Sequence, residues 1–269
     1  MTVLSESTPS PAPARYDDPA PIPLSRLIKV ELRKLVDTRA GFWLTASIAL
    51  IAVVVMVVML IVGRNNPEDL AFGNFFGMMN IPTGIILPIM AILLVTGEWS
   101  QRNALTTFTM EPRRERVVLA KLGAALIAAV GAVAVAVVLG AVGNVIAGIA
   151  IGGDAGSWSF SVVGLFNAFL LQILGLLLGF GFAALILNTP GAIVAYFALP
   201  TVLSLVSELV PAFGDRLGDW VNLDQTQAPF MSDTWASGGE WIRLVVSSLI
   251  WIGIPLSLGI ARILRAEVK

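Results

Sequence analysis

FWLTASIALIAVVVMVVMLIV, residues 42–62, decides the fold, because it runs 21 residues without a charge. At about 1.5 Å per residue, a helix of that length crosses the roughly 30 Å hydrocarbon core of a bilayer. Five more apolar runs follow, at roughly 76–96, 117–149, 161–187, 191–210 and 241–264. Across its 269 residues the chain is 57% hydrophobic and only 13% charged. A soluble domain usually carries about 25% charged residues. The alternating pattern of a membrane barrel is absent. The sequence therefore predicts an all-α polytopic membrane protein with six transmembrane helices. The third run is too long for one straight crossing, so it either extends past the bilayer or breaks near Gly140, Gly143 and Gly148.

Just before the first run lies LSRLIKVELRKLVDTRA, residues 24–40. Leu24, Leu27, Ile28, Leu32, Leu35 and Val36 recur at helical spacing, with Arg26, Lys29, Arg33 and Lys34 largely between them. This reads as an amphipathic helix in the membrane interface, its basic side chains facing anionic lipid headgroups. Residues 8–23 hold six of the fifteen prolines, which predicts a disordered tail over 1–23. The first apolar run exceeds the length of a signal h-region and is expected to remain as an anchor. The organisation is then a tail (1–23), an interfacial helix (24–40) and a six-span domain (41–269).

The positions of lysine and arginine set the orientation. Six of the seventeen precede the first run, five lie between the second and third, and three close the chain. Only Arg64, Arg216 and Arg243 fall on the other side, which holds nine acids. Both termini are expected in the cytoplasm, with the chain multi-pass in the plasma membrane.

Polar residues within the runs are candidates for a substrate path. The second run has Pro82 and Pro88, with Asn74, Asn80 and Thr83 nearby. Proline in a membrane helix frees backbone carbonyls and permits a kink, so this helix could be flexible and line a pathway, or be statically packed. Asn167 and Gln172 interrupt the fourth run; such residues make interhelical hydrogen bonds more often than they touch substrate. Gly175 and Gly179, and the series Gly140, Asn144, Gly148 and Gly152, suit close helix packing. Asn188 to Gly191 reads as a tight turn. The segment 211–240, with Trp220, Phe230 and Trp235, is either a partly inserted external gate or a solvated connector.

One polar stretch stands apart: GEWSQRNALTTFTMEPRRERVVLAKL, residues 97–122. It carries Arg102, Arg113, Arg114, Arg116 and Lys121. Glu98 and Trp99 sit where the second run leaves the membrane, and Glu98 can pair with Arg102 at i,i+4. Leu105 and Phe108 suit a short helix docked on something. Pro112 marks a break, and Arg113 to Lys121 reads as the charged foot of the third run. A polar surface of this kind is what a membrane protein presents to a soluble partner.

The chemistry open to the chain is narrow. It has no cysteine and no histidine, which removes thiolate and imidazole catalysis and most metal ligation. No acid or base lies mid-membrane, which counts against an ion-coupled secondary transporter. A non-transporting scaffold or signalling subunit needs no polar path and stays open, while an intramembrane enzyme has little to work with. Nothing points to nucleic acid. There is no G-x-x-x-x-G-K-[ST], so the chain has no P-loop of its own.

The order Glu98–Trp99, Leu105, Pro112, Arg114, Lys121 resembles the type-2 permease (ABC-2) family of ATP-binding-cassette transporters. Glu31-Leu32-Arg33-Lys34 resembles the E-L-x-K typical of that family's helix before the first span. Arg102-Asn103-Ala104 departs from the Gly-Thr common in the family. The resemblance implies that the helix leaving the second span, together with the helix of Glu31 and Lys34, contacts a separate nucleotide-binding ATPase subunit. It also implies a second permease chain, with ATP and Mg bound on the partner and no cofactor on this chain. The apolar spans then favour export of a hydrophobic or amphipathic cargo, such as a drug, lipid or peptide.

Overall fold

In hydrocarbon each backbone amide must find its partner inside the segment, so the apolar runs have one stable form, the helix. The computed structural model describes residues 22–100, 109–210 and 213–265. Helix α1 spans Leu24–Asp37. It stops at Thr38, whose hydroxyl accepts from the Gly41 amide at 3.1 Å and so caps α2, Arg39–Val62. Then come α3 (Phe72–Ser100), α4 (Arg114–Ala150), α5 (Val162–Ile186) and α6 (Thr189–Leu209). The last, α7, covers Gly238–Arg265 with a π-helical turn at Leu249–Gly253. The six helices α2 to α7 are each long and apolar enough to cross a membrane.

The long third run does not break. Helix α4 is continuous over 37 residues. That is about 56 Å, so it outreaches the roughly 30 Å core. Its glycines serve packing instead. Gly140 lies against the backbone of Phe76, and Gly143 lies under the Phe75 ring.

The centre of the bundle is α3, flanked by α4 and α5, with α7 packed on the far face of α5. Two apolar clusters stack along it. One holds Ile92 and Val95 of α3 with Ala124 of α4 and Phe180 of α5; the other holds Phe75 and Met79 of α3 with Met56 of α2 and Ala136 of α4. Prolines 82 and 88 sit inside α3 without ending it. Pro88 packs into the groove that Gly175 and Gly179 leave on α5. A Cβ on Gly179 would lie 2.9 Å from the Pro88 carbonyl oxygen, so the G-x-x-x-G pair serves this contact within the chain. By contrast α2 and α6 leave most of their apolar surface uncovered.

At one end of the bundle, α1 and the close of α7 meet the junction of α3 and α4. At the other end the loops interlock. The Phe72 amide donates to Ser157 O at 2.9 Å, and Asn144 Nδ2 donates to Gly156 O at 3.1 Å. The segment from Phe213 to Met231 is a series of short helical turns. Phe230 there is fully buried, its ring edge-on to Trp241 at 4.7 Å. This part of 211–240 is thus a folded cap on α5, α6 and α7.

Candidate functional site

Four charged residues from three helices converge where α3 ends. Glu31 and Lys34 come from α1, Glu98 from α3 and Lys121 from α4. Lys121 Nζ lies 2.8 Å from Glu31 Oε2 and 3.1 Å from Glu98 Oε1. Lys34 Nζ lies 2.6 Å from Glu31 Oε1 and 2.9 Å from Glu98 Oε1. Lys121 also donates to the Leu94 carbonyl at 2.9 Å. The two acids and two bases alternate in a closed ring with no net charge. Glu31, Glu98 and Lys121 are buried, with side-chain exposure of 6%, 10% and 6%, while Lys34 keeps 38%.

The helical register explains the convergence. Glu31 and Leu35 are four apart, so they share the face of α1 that packs on α4 and α3. Leu35 joins the apolar cluster, and Glu31 is carried inward with it. A carboxylate taken out of water needs a partner, and Lys121 supplies it. This corrects the reading of Arg113 to Lys121 as a mere charged foot, because Lys121 is a core residue. Glu98 finds its cations on α1 and α4; Arg102, expected as its i,i+4 partner, lies outside the described residues, as do Leu105 and Phe108.

Burial disfavours the Lys34 ammonium, but the carboxylates of Glu31 and Glu98 outweigh it and hold its pKa above the ordinary 10.5. A base whose folded pKa is raised contributes its full stability below 10.5 and loses it as pH rises through the folded value. Thermal melts of the detergent-solubilised chain at rising alkaline pH check this. The gap between the native chain and Lys34→Met should be widest below that value and shrink above it. A gap that stays constant with pH would remove Lys34 from the ring's energetics.

The neighbourhood adds further ties. Thr189 Oγ1 meets Thr96 Oγ1 at 2.7 Å and Ser100 Oγ at 3.0 Å, joining α3 to the start of α6. Arg114 donates to Ile263 O at 3.0 Å, fastening α4 to the close of α7. Arg116 pairs with buried Glu111 at 3.0 Å and also bonds Ile22 O. Trp99 packs against the apolar cluster. Pro112 and Arg113 are exposed. The hydroxyl trio escaped sequence reasoning, since threonine and serine at helix ends are too common to stand out.

The expected path residues divide. Asn80 and Gln172 face one cavity. Asn167 Nδ2 donates to Ser232 O at 3.0 Å, and Asn74 Nδ2 to Asp69 O at 3.0 Å, so both hold loops. Pro82, Thr83 and Pro88 are buried in helix packing, with Thr83 Oγ1 bonding Asn80 O at 2.8 Å. Among the described residues, no group of three or more carboxylates is placed to hold a metal ion. No family model matches the chain, and no curated protein matches it significantly.

Proposed function

We propose that this chain is the transmembrane permease subunit of an ATP-binding-cassette transporter of the type-2 class. It exports a hydrophobic or amphipathic molecule with energy from a separate ATPase subunit, which binds ATP and Mg. A second permease chain completes the path, and both termini face the cytoplasm of the plasma membrane. The observation that carries this reading is the buried ring of Glu31, Lys34, Glu98 and Lys121. The resemblance picks out these four positions as the coupling region, and they meet at one end of the bundle. A force on the α3–α4 connection has a stiff route into α1, α3 and α4 through them. The uncovered apolar faces of α2 and α6 leave room for lipid or a second chain. Such transmission needs no catalytic group on this chain.

Burial decides which residue tests the reading. Replacing Glu98 would unfold the site as well as uncouple it. Arg114 is tied to α7. Arg113 is exposed, next to Arg114 at the start of α4. Arg113→Glu should weaken ATPase co-purification and cargo-stimulated ATP hydrolysis about tenfold, the effect of losing roughly 1.4 kcal/mol at one interface charge. Membrane insertion and thermal stability should not change. If the native chain, isolated from its own membranes, brings down no P-loop ATPase, the reading fails.

A further inference from the structure

A cavity of about 550 Å³ lies between α3 and α5 towards the end opposite the charged ring. Its size is that of a site for one drug-sized molecule. Small residues line both walls at helical spacing: Gly73, Gly77 and Gly84 on α3, and Gly164, Ala168 and Gly175 on α5. Tyr196 of α6 lines it too, and Phe230 and Met231 of the cap close its outer end. Asn80 is eight residues into α3 and Gln172 ten into α5. These two polar residues therefore sit about 12–15 Å inward, close to halfway through the hydrocarbon core, and the cavity continues past them to Gly84 and Gly175. Gly77 and Ile81 line it and are also exposed, so it opens sideways on the bundle.

Stripes of small residues also serve packing, as Gly179 does. The polar atoms separate the two cases. Gln172 is only 6% exposed, yet its Nε2 has no hydrogen-bond partner. Across from it, Asn80 Nδ2 is committed to Phe76 O at 2.9 Å, which leaves Asn80 Oδ1 buried and unpartnered. Buried polar atoms are nearly always satisfied, so one free donor and one free acceptor on residues that line one cavity call for explanation. Pro88 also removes the amide that would bond the carbonyl of Gly84, another lining residue. Among the described residues the one charged member of the lining is Asp233, and its carboxylate lies over Gly164 in the first turn of α5. Among the described residues, no lysine or arginine lines the cavity.

We infer that this cavity binds a neutral amphiphile, with an apolar body and a hydroxyl or amide head that satisfies Gln172 and Asn80 together. An anionic head would find no cation, and a plain alkane would leave both polar atoms unmet. The occupant enters sideways from the leaflet opposite the charged ring. The purpose of the site rests on the proposed transport reading; its existence does not.

The test uses the full chain in lipid nanodiscs without any ATPase. Three diazirine probes of equal chain length are compared: a long-chain alcohol, the matching carboxylate and the matching alkane. The alcohol should label 73–84 and 164–175 about fivefold more than either of the others, the size of one net hydrogen bond. Gly77→Leu should abolish that labelling. A Cβ at Gly77 meets nothing within 4 Å, so this change fills the cavity while leaving the fold intact. Gln172→Leu should remove the preference for alcohol over alkane while keeping the labelling itself. Equal labelling by all three probes, or labelling indifferent to Gly77→Leu, overturns the proposal. Lipids extracted from the purified chain identify the source. A neutral lipid present in the native chain and lost in Gly77→Leu makes the occupant a membrane component, and its absence with alcohol labelling intact makes it a supplied molecule. A chain that binds the alcohol but captures no ATPase keeps this site and loses the transport reading, and the reverse result does the opposite.

Discussion

Lys121→Met should cost about 3–5 kcal/mol of stability, the usual effect of removing one partner from a buried ion pair. Methionine nearly matches the lysine stem in volume, so the loss is electrostatic and leaves little cavity. Glu31 and Glu98 would remain buried and lose their shared buried cation, with half-exposed Lys34 still between them, and the Leu94 carbonyl would lose its donor. Adding Glu31→Gln restores neutrality, because Lys34 and Glu98 then balance, and the double variant should recover a substantial part of the loss. A full double-mutant cycle by chemical denaturation in mild detergent measures the coupling. A single variant within about 0.5 kcal/mol of the native chain, the range of an ordinary surface change, would mean the ring carries no structural weight.

Gly179→Leu should be nearly as damaging, at about 3 kcal/mol, the upper end of the usual overpacking cost. Its Cβ alone would stand 2.9 Å from Pro88 O and 3.2 Å from Pro88 Cβ. Backbone cannot rotate aside as a side chain can, so α3 and α5 must separate. Gly131→Leu on α4 is the control. A Cβ there meets nothing within 4 Å, and the position is exposed. That change should be neutral or stabilise the helix by up to about 1 kcal/mol. Thermal melts of both variants decide it; equal melting temperatures would mean that the α3–α5 contact is soft.

Apolar length made the six helices readable, because one physical demand, backbone satisfaction in hydrocarbon, acts along each segment alone. The ring was readable only in its members. Glu31, Lys34, Glu98 and Lys121 all stand out in the sequence, but Glu31 and Lys121 are 90 positions apart, and only packing of α1 on α4 makes them partners. The local pairing of Glu98 with Arg102 falls outside the described residues. The cavity was legible through Asn80 and Gln172, which are polar in apolar helices. Its walls were not, because a glycine that leaves space and a glycine that fills a contact look alike in sequence. Gly77 and Gly179 are that pair, and Tyr196 and Phe230 are brought to the cavity by elements distant in the chain.

The unbroken length of α4 has a mechanical corollary. Lys121 locks the foot of this rod into the charged ring, and Asn144 clasps its head into the loops at the opposite end. With no joint between them, a torque applied at the foot arrives at the head as a swing of the whole shaft. Among the described residues, two helix pairs meet at sharp corners instead: Thr38 between α1 and α2, and the left-handed Leu187 between α5 and α6.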